Sequence, residues 1–209
     1  MRFDRPAITW SGGSVNIFNQ TSKSFLVLLA ISTLNGCAAV ALGGAATGAA
    51  TVAHDRRTTG TVIEDQSIEL KAGQVLRDDQ EINEGAHVNV TSYNLVVLVS
   101  GEAPNDAARE RIINIVRDIP KVTHVYNELT IGSPTTLTSR SSDTLITSKV
   151  KTKLFSLENF EATRVKVVTE KGVVYLMGLL TKDESGRVTE AARRVGGVQK
   201  VVKLFQYVE

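Results

Sequence analysis

Between Val88 and Gly101 apolar and polar residues first alternate, then Leu95 to Val99 run on without a polar break and the segment stops at glycine. The same order returns 77 positions later, between Val165 and Gly178. An alternating run, a turn and a β-branched run predict a β-hairpin. Asn94 occupies the turn in the first copy and Lys171-Gly172 in the second. The closing glycine marks a backbone position that needs close approach or unusual dihedrals.

The flanks repeat as well. Ile68, Ala72 and Leu76 match Ile146, Val150 and Leu154, both sets spaced by four as on one helix face. After each hairpin comes a helical stretch, 107–118 and 184–195, and then a last strand, 122–129 and 198–205. Pro120 and Gly196-Gly197 break the helices before those strands. Both copies therefore read helix, strand, strand, helix, strand. The fold class is α+β, two tandem αββαβ domains, each a three-stranded mixed sheet packed with two helices. The hairpin makes the first strand pair antiparallel, and the crossover helix makes the last pair parallel. A unit of about 70 residues is near the size at which a core alone is marginal, so packing of one copy on the other is expected to add stability.

The amino end has a different pattern. No charged residue occurs from Phe25 to Ala53. The apolar stretch starting at Phe25 follows Lys23, has the length of a signal-peptide core, and runs into Leu34-Asn35-Gly36-Cys37. A transmembrane span is a competing reading of the uncharged run, but its second half is mostly Ala, Gly and Thr, too weakly apolar to insert strongly. The division is then a signal peptide over 1–36, with residues 1–22 consistent with a miscalled start. An Ala/Gly-rich tether over 37–60 follows, then a first domain over 61–131, a linker over 132–142 and a second domain over 143–209.

Charge separates the two copies. Residues 60–131 carry 6 basic and 12 acidic side chains, and residues 132–209 carry 13 and 8. The second half is therefore the one suited to an anionic partner. Basic residues are not interleaved with exposed aromatics as in single-strand binders, which speaks against nucleic acid. The single cysteine excludes an internal disulfide and a cysteine-based metal cluster. His54, His87 and His124 each stand alone, and no phosphate loop or nucleophile elbow occurs. The acid pairs Asp78-Asp79 and Asp183-Glu184 could do acid/base work, but the first is expected to end a helix or make a loop and the second to lie in a helix's first turn, where acids suit the dipole. Catalytic residues, metal ligands and cofactors are thus assigned to none, and the chain is read as a non-enzyme.

Two resemblances rest on these residues. Leu34-Asn35-Gly36-Cys37 resembles the lipobox of bacterial lipoproteins, which implies that Cys37 becomes the amino terminus and is acylated on sulfur and nitrogen, palmitate included. The αββαβ repeat, with Lys171 to Gly178 and the closing Gly197-Val198-Gln199-Lys200-Val201, resembles the BON domain of bacterial osmotic and nodulation proteins. The order of parts is similar to that of dual-BON-domain outer-membrane lipoproteins. The first copy departs from the pattern at Gly73, inside its first helix, and in a hairpin turn without glycine. The resemblance implies a lipid anchor in the outer membrane facing the periplasm, binding of anionic phospholipid through the second domain, and support of envelope integrity. A periplasmic adaptor recruiting an envelope protein partner stands as the alternative.

At 100° per residue, Ile146, Val150, Leu154 and Leu157 share one sector of the second copy's first helix and should pack on the sheet. Leu145 and Phe155 then face solvent beside Lys149, Thr152 and Lys153. Those five are the expected phospholipid-binding residues.

Overall fold

The computed structural model describes residues 55–209, which lie within one compact unit of the chain. The signal peptide, Cys37 and most of the tether fall outside the described residues. Helix α1 (Thr59–Asp78) opens on the Thr58 side chain, which accepts from the Thr61 amide. A second short helix, α2 (Gln80–Gly85), follows on the Asp79 cap. Strands β1 (His87–Tyr93) and β2 (Val96–Ala103) pair antiparallel, and β3 (His124–Ile131) returns parallel to β2 after helix α3 (Asp106–Arg117). The second domain repeats this with α4 (Leu137–Phe155), β4 (Val165–Glu170), β5 (Val173–Leu180), α5 (Lys182–Arg193) and β6 (Lys200–Tyr207). Sheet orders are β1-β2-β3 and β4-β5-β6, mixed as the sequence predicts.

Three details differ from the sequence reading. The stretch 137–142, read as linker, is the first part of α4. Its start is anchored: the Thr136 hydroxyl caps the helix by accepting from the Ser139 amide, and Arg140 Nε donates to the Thr135 carbonyl at 3.1 Å. The last strands begin at His124 and Lys200, two residues later than read. Val122 and Val198 are instead held in tight turns, their amides donating to the carbonyls of Ile119 and Val195, and pack the cores from there. Helix α2 is not predicted by the sequence pattern, and at the same place in the second copy stands only a single 3-10 turn, Ala162–Arg164.

Both hairpins turn through two residues at positive φ, Asn94 (51°) and Leu95 (65°) in one, Lys171 (49°) and Gly172 (75°) in the other. A buried aspartate of the preceding helix holds each turn. Asp65 accepts the amides of Asn94 and Leu95 at 2.7 and 2.8 Å, and Asp143 those of Lys171 and Gly172 at 2.9 and 2.8 Å. The closing glycines are crowded as expected. A Cβ on Gly101 would lie 2.0 Å from the His87 carbonyl oxygen, and one on Gly178 2.8 Å from that of Arg164.

Alternation along β2 and β5 explains their uninterrupted apolar runs. Val97 and Val99, like Val174 and Leu176, point into the helix-covered cores. Leu98, Tyr175 and Met177 point the other way and meet Tyr93 and Leu204 in a third cluster between the two sheets. The sheets thus bury each other's second face. Reciprocal polar contacts fasten the edges: Asn94 Nδ2 donates to Gln206 Oε1 at 2.7 Å, and Lys171 Nζ to Thr130 Oγ1 at 3.2 Å.

Candidate functional site: the outward face of α4

With both sheet faces covered, the helices supply the outer surface of the second domain. On α4 the inward stripe is Asp143, Ile146, Val150 and Leu154. Opposite it lie Leu137, Leu145 and Phe155, 78 %, 62 % and 67 % exposed and within about 80° of one another around the axis. Between them run Ser141, Thr144, Ser148 and Thr152. Each of these hydroxyls donates to the carbonyl four residues back, at 2.9 Å. That bonding satisfies the hydroxyls within the helix, so the strip offers methyl and methylene groups with few free donors.

Lysines border the strip. Lys149 and Lys153 stand on one flank and Lys151 on the other, all exposed and none in an ion pair among the described residues. The structure therefore gathers Leu145, Lys149, Thr152, Lys153 and Phe155 on the outer side of one helix, with Lys153 turned furthest toward α5. Sequence reasoning missed Leu137 and Lys151. Leu137 was lost with the linker assignment, although Thr136 two residues after Pro134 was a readable helix start.

The corresponding helix of the first domain exposes Ile63 and Leu70 by 62 % and 73 %. It carries four acidic side chains against two basic, whereas α4 carries four basic and one acidic. Charge, more than apolar exposure, separates the two helices.

A cluster of perturbed carboxyls lies elsewhere, where β2, β4 and α4 meet. Glu102 is fully buried; desolvation would raise its pKa, but Lys171 at 2.7 Å and the Thr135 hydroxyl and amide bring it below the ordinary carboxylate value. Glu170 beside it is pushed up to about 7 by burial first and then by the charges of Glu102 and Asp143. His87 is lowered by burial and by Arg140. Asp79 joins α1 to α2 and Glu184 closes a capping box on Thr181, as their sequence contexts indicate. No group of three or more His, Cys, Asp or Glu among the described residues is placed to hold a metal ion. No described helix is long and apolar enough to cross a membrane.

The model of the BON domain matches residues 64–133 and 142–209. This chain belongs to the BON-domain family. It carries two BON domains, one over each αββαβ unit, each match beginning five residues inside the unit's first helix. The chain is 37 % identical over 187 residues to the outer membrane lipoprotein DolP of Haemophilus influenzae, covering 90 % of this chain and 96 % of that one. It is 37 % identical over 155 residues to the 21 kDa hemolysin of Actinobacillus pleuropneumoniae, covering 74 % and 80 %. The osmotically-inducible protein Y of Escherichia coli is 28 % identical over 145 residues, covering 68 % and 72 %.

Proposed function

We propose that this protein is an outer-membrane lipoprotein, held by acylated Cys37 and facing the periplasm, that binds anionic phospholipid through α4 of its second BON domain and supports envelope integrity. The observation that carries the reading is the outward strip of α4, three large apolar side chains bordered by three unpaired lysines. Such a face enters the headgroup region by its apolar side chains, while each lysine near an anionic surface adds on the order of 1 kcal/mol. The relative named as an outer membrane lipoprotein supports the location. The test is flotation of residues 38–209, which keep both domains and lack the anchor, with phosphatidylglycerol vesicles. Leu145→Glu should abolish flotation without altering circular dichroism or the melting temperature, and Lys149→Glu should weaken it in a salt-dependent manner. Wild-type flotation by Leu145→Glu would remove α4 as the membrane contact. Failure of the wild-type protein itself to float would put the adaptor reading, favoured by the exposed Ile63 and Leu70 on acidic α1, ahead.

A further inference from the structure

Beside the α4 strip, the end of α4 and the outer side of α5 flank an open, shallow groove of about 630 Å³. Its floor is Leu157, Gly186 and Ala191, and its rim holds Lys153, Lys182, Arg187 and Arg194 against Asp183 and Glu190. Glu190 is already neutralised, accepting from Arg194 Nε at 2.9 Å and facing Arg193 at 3.6 Å. Arg187 is fixed across the groove end by its bond to the Glu158 carbonyl. Lys153 and Lys182 have no ion pair among the described residues.

Gly186 is the informative residue. It lies inside α5, where glycine weakens a helix relative to alanine. No packing reason requires it, because a Cβ there would meet nothing within 4 Å. What the glycine provides is open space on the groove floor. Aligning the helix caps Asn105 and Thr181 shows that the first domain lacks this arrangement. Asp106 stands in place of Lys182 and Glu110 in place of Gly186. Arg111, in place of Arg187, is bound to Asp79 at 2.6 Å and Glu81 at 3.1 Å. An open cationic groove is therefore a property of the second domain.

We propose that this groove binds the phosphate headgroup of an anionic phospholipid, as a second contact separate from the apolar strip of α4. This rests on the membrane reading, and Lys153 joins the two features because it stands on the same flank as Lys149 and also rims the groove. Lys153, Lys182 and Arg187 offer the donors that a phosphate diester accepts, and the apolar floor suits its glycerol end. The experiment uses residues 38–209 with Gly186→Leu, which fills the floor without changing charge and should hold or raise the melting temperature. Binding to phosphatidylglycerol vesicles should fall at least fivefold, and Lys182→Glu should lower it similarly with a shallower salt dependence. Inorganic phosphate added to the wild type should perturb the amide resonances of Gly186 and Arg187, and short-chain phosphatidylglycerol should displace it. Wild-type vesicle binding by both groove variants overturns the proposal, as does a groove that phosphate saturates without displacement by the lipid. Loss of binding in Leu145→Glu with normal binding in Gly186→Leu and Lys182→Glu leaves the strip standing and removes the groove. The opposite pattern retains the groove and removes the strip.

Discussion

Glu170 is a buried carboxyl whose charge the fold disfavours, and removing that charge should stabilise the protein at neutral pH. The side chain is 8 % exposed and sits near two other carboxylates, Glu102 and Asp143, both already committed to holding neighbouring groups. Its pKa in the folded protein is about 7 against an ordinary 4.5. Below 4.5 both folded and unfolded chains hold the proton, and stability is independent of this group. As pH rises through 4.5 the unfolded chain releases the proton while the folded one retains it, so stability falls until the folded group also ionises near 7. At 1.36 kcal/mol for each tenfold difference in proton affinity, the full loss is about 3 kcal/mol, with most of it between pH 5 and 8. For a body of this size, 1 kcal/mol moves the melting temperature by roughly 2–4 °C. Glu170→Gln should therefore melt roughly 6–12 °C above the wild type at pH 8 and nearly with it at pH 4.5. Thermal melts followed by circular dichroism across that range measure the difference. Equal pH dependence in the two proteins would show that Glu170 is not desolvated, and the argument would fail.

Two further predictions concern the hairpins. Asp143→Ala deprives the amides of Lys171 and Gly172 of a charged acceptor and should cost about 3 kcal/mol in a denaturant titration, with Asp143→Asn losing less. Gly178→Val forces a Cβ to within 2.8 Å of the Arg164 carbonyl and should destabilise by about 2–4 kcal/mol. A melt unchanged by that substitution would mean that the β4–β5 edge yields freely.

The hairpin repeat, the helix stripes and the mixed sheets were legible because each depends on local periodicity that one sequence displays twice. What stayed hidden depends on partners distant in sequence. Asp65 and Asp143 each precede the first inward isoleucine by three residues, at a position turned toward the sheet, and an acid recurring there in both copies was the available signal of a buried acceptor. The start of α4 is hard to read because Ser and Thr are weak helix formers on average, whereas here the Thr136 cap and the Arg140 tie to Thr135 hold the first turns. The groove required Lys153 and Lys182 to be brought together from different helices, and no spacing announces that.

The mutual burial of the sheets also constrains where function can lie. Tyr93 and Leu98 of one sheet and Tyr175, Met177 and Leu204 of the other would be exposed if the domains parted, so the two act as one body rather than as separable modules. With the inner sheet faces buried, the outer helices present broad surfaces to a partner, and of these α4 and α5 carry the apolar strip and the cationic groove. The tether approaches that same region. Asp55 and Arg57 line a cavity together with Lys151 and Phe155 at the end of α4. Asp55, the first described residue, thus lies beside the proposed membrane contact. On the proposed reading, α4 faces an anionic bilayer, and the first domain's acidic α1 is left as the surface least attracted to it.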